Sequence, residues 1–173
     1  MMMQCKYGHE HSTAGLIRRQ RAVMDTFYRT GDHEEEALAL ASYWWQPDGC
    51  RMPNEDDIEE AQDSIDEGDW LVLTDKEADE ECKEYIESSV HVFCTSFMSE
   101  VTGIDQRAFD ALAEDYNEGN EGILHLIEIT CGLRLFVREA IAVDGRGHFL
   151  NHYDGVEGDA VIGDETYYIY RRN

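Results

Sequence analysis

The last thirty residues, from Asp144 to Asn173, carry the pattern that most constrains the fold, because turn signals and strand-forming residues alternate there. Gly163-Asp164 separates two short segments, residues 159–162 and 165–170, that contain β-branched and aromatic side chains. Glycine adopts positive φ without a Cβ clash, and two-residue loops of this kind join antiparallel strands. The tyrosines and isoleucine of residues 167–170 suit a half-buried strand. The sequence therefore predicts a C-terminal β-hairpin.

Further turn signals and several polar side chains come just before this hairpin. Residues 144–147 predict a turn, residues 148–150 a short strand, and Asp154-Gly155 another turn. Because polar groups on turns often form sites, one hypothesis is a ligand-binding or catalytic site there. Its residues are Arg146, His148, His152, Tyr153 and Asp154. The alternative is a structural role, in which these residues form a tightly turned cap on the sheet. In that case Arg146 pairs with an acid and the His148 side chain packs against its neighbours.

Helix signals dominate the middle of the chain. Asn54 is placed to cap a helix over residues 55–67, in which Ile58, Ala61 and Ile65 share one face. Residues 70–73 predict a short strand. The capping-box pattern of residues 74–77 then begins a long helix over about residues 75–100. Asp105 is placed to cap a helix through Tyr116, a loop is predicted at 117–122, and two more helices at 123–130 and 133–143.

The N-terminal third predicts a helical hairpin. Residues 14–29 have a broad apolar stripe, and Asp32 is placed to cap a second helix that stops at Pro47-Asp48-Gly49. We place a boundary within residues 46–54, which divides the chain into an N-terminal helical hairpin at 1–53 and an acidic α+β domain at 54–173. The predicted fold class is α+β, mostly helical, with a small antiparallel sheet formed by the C-terminal hairpin.

The net charge excludes several classes of partner. The chain has 14 basic and 38 acidic residues, which gives a formal charge of −24. Residues 54–87 hold 16 of the acids and only 2 basic residues. Binding nucleic acid directly requires a basic footprint, and an anionic membrane surface repels this charge in the same way. Basic protein partners, or divalent cations, are favoured instead.

Three motifs stand out in the sequence: WLVLTDKEADEECKEYI at residues 70–86, DGRGHFLNHYDG at 144–155 and the terminal YYIYRRN. They resemble a family of small proteins of unassigned function found mainly in bacteriophages and other bacterial mobile elements. The family pattern runs LVLTDEEADE, DGRGHxLxxYDGxE and YIYRxN, and the resemblance covers about residues 68–173. Lys76 stands where an acid is usual, and Gly158 and Asp159 dilute the acidic run after Tyr153. The resemblance implies a phage-like origin and a cytoplasmic setting in a bacterial host, and carries over no catalytic residue.

The functional hypothesis is a non-enzymatic inhibitor with an acidic surface. Two acid-rich helices place carboxylates about 5.4 Å apart along each face, a spacing that a DNA-binding groove accepts in place of phosphates. We expect the partner to be a basic or nucleic-acid-binding bacterial host protein, as in DNA mimicry directed against restriction or CRISPR defence. The surface comprises Glu55, Asp56, Glu59, Glu60, Asp63, Asp66, Glu67, Asp75, Asp79, Glu80, Glu84 and Glu87.

Two other functions remain open at this point. A small enzyme or ligand-binding protein would use His148 and His152, with Asp154 or Asp144 as the orienting acid. A zinc site would use Cys5, His9 and His11, with Cys50 as a fourth ligand, although this spacing is irregular. No nucleotide-binding or hydrolase motif is present, and we expect no cofactor and no bound metal.

The cysteines are odd in number and widely scattered, which predicts a cytoplasmic protein. No long apolar run is present, so we expect no membrane binding. The oligomeric state is open.

Overall fold

The predicted C-terminal hairpin forms and gains a third strand from the middle of the chain. The computed structural model describes residues 35–45, 53–113 and 119–173. Its strands are β1 (Trp70–Thr74), β2 (Gly158–Ile162) and β3 (Glu165–Arg171). They form one antiparallel sheet in the order β1-β3-β2, with Gly163 at φ 65° in the hairpin loop. The predicted α+β class is therefore confirmed.

Two helices cover one face of this sheet. Helix α1 (Glu35–Trp45) buries five consecutive residues, 37–41, and helix α2 (Glu55–Asp66) buries Ile58 and Ala61. These side chains pack with alternate residues of the strands, because side chains of a strand point to opposite faces. The strand residues in this core are Val72, Ala160, Ile162, Tyr167 and Ile169.

Two contacts fix α1 on the sheet. The hydroxyl of Tyr167 in β3 donates a hydrogen bond to Oε2 of Glu35 at 2.5 Å. The ring of Tyr43 lies directly on Gly158 in β2, where a Cβ would come within 2.5 Å of Cε2 of Tyr43. A glycine is required at this position, since any side chain would displace the tyrosine.

The remaining helices follow β1. They are α3 (Asp75–Ser89), a 3-10 turn (Val90–Val92), α4 (Thr95–Thr102), α5 (Gln106–Ala113), α6 (Gly119–Thr130), α7 (Leu133–Asp144) and α8 (Arg146–Leu150). The fully buried side chains here include Ile86, Met98, Phe109, Ile127 and Phe136.

The prediction of one long helix over residues 75–100 is wrong. The hydroxyls of Ser88 and Ser89 both bond to the carbonyl oxygen of Tyr85, at 2.8 and 2.6 Å. Serine hydroxyls compete in this way with the helical backbone for its acceptors. Ser89 leaves the helical region at φ −130° and ψ 17°, and α4 starts only after the extended residue Cys94.

The predicted strand at residues 148–150 is also wrong, because these residues belong to the short helix α8. Phe149 and Leu150 are adjacent and both buried, whereas a half-buried strand would bury alternate residues. Gly145, at φ 77°, separates α8 from α7.

The predicted loop at 117–122 is wrong for residues 119–122, which form the start of helix α6. Gly122 lies within that helix, and a Cβ at this position would come 3.0 Å from Cδ2 of Leu112 in α5, so a larger residue would require the leucine to shift.

The described residues fall into two compact units. The sheet unit takes its residues from Met1–Lys76 and His152–Asn173, and the helical unit is Glu77–Asn151. Helix α1 belongs to the core of the sheet unit. The predicted helix at 14–29 and most of the predicted boundary at 46–54 lie outside the described residues, so the division at residue 53 stays a prediction.

None of the helices in the described residues is long and apolar enough to cross a membrane.

Candidate functional site

Helix α2 concentrates carboxylates on one face. With about 100° of rotation per residue, its seven predicted carboxylates fall within an arc of about 140°. The buried residues Ile58 and Ala61 and the half-buried Ile65 lie on the opposite side. All seven acids are exposed. We call this set the acidic face; it comprises Glu55, Asp56, Glu59, Glu60, Asp63, Asp66 and Glu67.

A complete N-terminal cap holds this helix in place. The backbone N–H of Asp57 donates to Oδ1 of Asn54 at 2.9 Å, and the backbone N–H of Asn54 donates to Oδ2 of Asp57 at 2.8 Å. This reciprocal capping box satisfies two backbone donors at the start of the helix. The acids of the first turn also face the positive end of the helix dipole. The predicted cap at Asn54 is confirmed.

The acidic face has no cationic partner in the part of the chain that the structure describes. Helix α2 contains no basic residue, and within the acidic face Asp66 accepts a hydrogen bond from the neutral side chain of Gln62 at 3.0 Å. Within residues 35–45, 53–113 and 119–173, none of its seven carboxylates forms an ion pair. These carboxylates are thus accessible to a positively charged partner.

The acids of helix α3 have a different environment. Asp75, Asp79, Glu80 and Glu84 are exposed and Glu87 is half-buried. Glu80 forms an ion pair with Lys83 at 2.5 Å, and Asp79 forms one with Arg146 at 3.4 Å.

The carboxylates of α3 are also spread around the helix rather than confined to one arc. Helix α2 belongs to the sheet unit, and α3 belongs to the helical unit from Glu77 onward. The two predicted rows of carboxylates are therefore unequal, and α2 provides the more uniform negative surface.

The residues of the predicted C-terminal site are divided between the two units. Arg146 and His148 belong to the helical unit. The Arg146 side chain is only 11% exposed, and its Nη1 contacts Oδ1 of Asp79 at 3.4 Å. The exposed ring of His148 lies edge-on to Phe149, with ring centroids 5.1 Å apart. The contact between Arg146 and Asp79 agrees with the alternative interpretation in which Arg146 pairs with an acid. The segment is, however, a helix and not a turned cap.

His152, Tyr153 and Asp154 belong to the sheet unit. The backbone N–H of His152 donates to the carbonyl of Arg171 at 2.9 Å, and Oδ1 of Asp154 accepts the backbone N–H of Val156 at 3.0 Å. This second contact is an Asx turn. The Arg171 guanidinium carbon lies 3.9 Å from the centroid of the Tyr153 ring, which is a cation–π contact. These contacts order the loop before β2.

Neither histidine ring of this predicted site forms a hydrogen bond to a carboxylate of the described residues. The His148 ring contacts the Phe149 ring, and His152 donates its backbone N–H to the carbonyl of Arg171. A base oriented by an acid needs a hydrogen bond of about 2.6–3.2 Å.

Metal-binding side chains do not converge within the described ranges. No group of three or more histidine, cysteine, aspartate or glutamate side chains there is arranged to hold a metal ion. The weaker zinc hypothesis at Cys5, His9, His11 and Cys50 falls outside the described residues.

One reactive group was missed by the sequence analysis. Cys94 is exposed, and its Sγ lies 2.9 Å from Oγ of Ser96. Hydrogen bonds from Ser96 and from backbone N–H groups at the start of α4 lower the pKa of the Cys94 thiol. A serine two residues after a cysteine at a helix start could have indicated this thiol. The sequence analysis predicted a continuous helix there and so did not recognise that a helix starts at this point.

The chain was compared with protein-family models, with curated proteins and with solved structures, and nothing matched in any of the three comparisons. The function must therefore be argued from the residues and contacts described above.

Proposed function

We propose that this protein is a non-enzymatic binding protein whose acidic face attaches to a positively charged surface of another protein. The observation that carries this proposal is the arrangement of seven exposed carboxylates on one side of α2, without an ion pair in the described part of the chain. Exposed charges of one sign raise the association rate with oppositely charged partners.

The cost of this arrangement supports a role in binding. The acidic face contains seven pairs of carboxylates three or four residues apart. Each such pair destabilises a helix by about 0.2–0.5 kcal/mol, so together they cost roughly 1.5–3.5 kcal/mol. The capping box and the burial of Ile58 and Ala61 offset this cost. A cationic partner would relieve it directly, and this gain is available only on binding.

The charge density supports the finer proposal of DNA mimicry. The acidic face runs from Glu55 at the start of α2 to Glu67, one residue past its end, and therefore spans about 18 Å. Its seven acids place one negative charge per roughly 2.6 Å, which lies between about 3.4 Å for one DNA strand and about 1.7 Å for the duplex. A protein groove that binds DNA phosphates is thus a suitable partner. We place such a partner in the cytoplasm of a bacterial host, where inhibition would act against restriction or CRISPR defence.

The proposal is tested by capturing partners from a bacterial lysate on the immobilised full-length protein. The columns are washed at rising salt and, separately, with competing duplex DNA. We expect a nucleic-acid-binding protein that is released both by salt and by DNA, because exposed charges are screened within about 8–10 Å near physiological ionic strength. A partner that resists both treatments would contradict binding through the acidic face.

A charge-reversed variant provides the residue-level test. Changing Glu59, Glu60, Asp63 and Glu67 to lysine reverses the centre of the acidic face and leaves the buried face of α2 unchanged. We expect capture to be lost. Full capture by this variant, with circular dichroism showing an intact fold, would show that the acidic face is not the binding surface.

A further inference from the structure

An open groove runs between helices α4 and α7 in the helical unit. Its volume is about 320 Å³. Phe97, Glu100 and Val101 line it from α4, and Leu135, Glu139 and Val143 line it from α7. We call it the α4/α7 groove. This volume is at the lower end of the range of about 300–1,000 Å³ for ligand pockets, which suits one or two apolar side chains.

The spacing of these residues explains why the groove forms. Residues three or four apart share one face of a helix, and the groove takes positions 97, 100 and 101 of α4 and positions 135, 139 and 143 of α7. The buried residues of α7 are Phe136, Val137 and Ala140, so the groove lies beside the core-facing side. Phe97 packs against Phe136 with ring centroids 5.4 Å apart, so the groove wall continues into the core.

The apolar part of the groove is accessible to solvent. Val143 is 67% exposed, and Phe97, Val101 and Leu135 are half-buried beside it. Phe97, Val101, Leu135 and Val143 adjoin one another along the groove and form one contiguous, concave apolar surface. The groove thus offers apolar contact area that the acidic face of α2 lacks.

Two carboxylates flank this apolar surface. Glu100 is exposed and forms no ion pair with any described residue. Glu139 accepts two hydrogen bonds from Arg138, from Nε at 3.2 Å and from Nη2 at 2.8 Å, and both use Oε1. The Arg138 and Glu139 side chains are 72% and 42% exposed, and exposed ion pairs of this kind contribute little to the stability of the fold. A cation from a partner can therefore replace Arg138.

We propose that the α4/α7 groove binds a short amphipathic, cationic helix of a protein partner. An apolar side chain of that helix contacts Phe97, Val101, Leu135 and Val143, and flanking lysine or arginine residues pair with Glu100 and Glu139. This is the helix-in-groove mode of recognition, in which anchors recur three or four residues apart. The inference rests on the proposed function in that the partner is a basic protein, and it adds a second contact surface with an apolar component.

The test uses a synthetic fluorescent peptide of about fourteen residues, with leucines at i, i+4 and i+7 and flanking lysines. Binding to the full-length protein is measured by fluorescence anisotropy. Val143→Asp and the double variant Glu100→Lys, Glu139→Lys should each raise Kd by about tenfold or more. The matched controls are Val92→Asp, at another valine that is 66% exposed, and Asp110→Lys with Glu121→Lys, two exposed acids elsewhere in the unit. These controls should change Kd by less than about twofold.

Three outcomes would overturn the inference. They are undetectable binding to the wild-type protein, equal effects of the groove variants and their controls, or equal binding of a peptide with the same composition in scrambled order.

The charge-reversed variant of the acidic face separates this inference from the proposed function. If that reversal abolishes peptide binding and the groove variants do not, the groove inference is wrong and the acidic face remains the binding surface. If the groove variants weaken peptide binding but reversal of the acidic face does not affect lysate capture, the proposed function fails and the groove inference stands.

Discussion

The Tyr167 hydroxyl donates a hydrogen bond to the Glu35 carboxylate at 2.5 Å and so connects strand β3 to helix α1. Burial of the phenol and its contact with Glu35 raise the pKa of Tyr167 well above the ordinary tyrosine value of 10.0. The unfolded chain releases this proton near pH 10, whereas the folded protein retains it. The folded state is thus stabilised below pH 10, and this stabilisation is lost as the pH rises towards the raised pKa.

We predict that Tyr167→Phe destabilises the protein by about 1.5–3 kcal/mol at pH 7, because a hydrogen bond to a charged group is lost. The same variant should reduce the fall in stability between pH 9 and pH 11. Urea unfolding across this range measures both effects, and Tyr85→Phe, at a tyrosine that is 41% exposed, is the control. An unchanged pH dependence in Tyr167→Phe would show that this tyrosine is not responsible for it.

Gly158→Ala should destabilise the sheet unit by about 1–3 kcal/mol, because its Cβ would come within 2.5 Å of the Tyr43 ring. Tyr43→Ala removes the obstructing ring, so the alanine at position 158 should cost much less in that background. A double-mutant cycle by thermal or urea unfolding measures this coupling. Additive effects of the two substitutions would contradict the close contact between them.

Asn54→Ala should lower the free energy of unfolding by about 0.5–2 kcal/mol, because it removes the acceptor for the backbone N–H of Asp57. Asn54→Ser and Asn54→Asp should remain close to wild type, because serine and aspartate are also good caps. Chemical unfolding of the three variants provides the measurement. Equal losses in all three would mean that the asparagine acts through some contact other than the cap.

Cys94 should be alkylated by iodoacetamide faster than the fully buried Cys82, because its thiol is exposed and hydrogen bonds lower its pKa. Ser96→Ala should slow the labelling of Cys94 near neutral pH by roughly a few-fold, since the thiolate loses its donor. Peptide mapping by mass spectrometry follows each cysteine separately, with Cys131 as the internal control. An unaltered Cys94 rate in Ser96→Ala would exclude Ser96 as the cause.

Local signals predicted the elements that depend on a few neighbouring residues. The hairpin at Gly163-Asp164 and the cap at Asn54 both formed as expected, because a loop conformation and a capping side chain are specified within a few positions. The same kind of signal was wrong where apolar spacing continued through a break. The sequence predicted one helix over about residues 75–100, but the hydroxyls of Ser88 and Ser89 bond to the Tyr85 carbonyl and the helix ends there.

Contacts between distant segments were outside the reach of local patterns. The pairing of Trp70–Thr74 with β3, the Tyr167–Glu35 hydrogen bond and the approach of Tyr43 to Gly158 each join residues about a hundred or more positions apart. For the candidate site, charge patterning indicated the acid-rich stretch of α2, and the seven carboxylates of the acidic face are exposed. It did not reveal that Asp79 and Glu80 of α3 are paired with cations, since those pairs depend on tertiary structure and rotamers.

The most direct test of binding through the acidic face is the salt dependence of affinity for a captured partner. The wild-type protein is compared with the variant that has lysine at positions 59, 60, 63 and 67. The control carries lysine at four exposed acids elsewhere, Asp110, Glu121, Asp144 and Glu165, and so has the same net charge. We predict a steep fall of log K with log salt concentration for the wild type and the control, and loss of binding for the acidic-face variant. Equal affinity and equal salt dependence in all three proteins would contradict the proposed function.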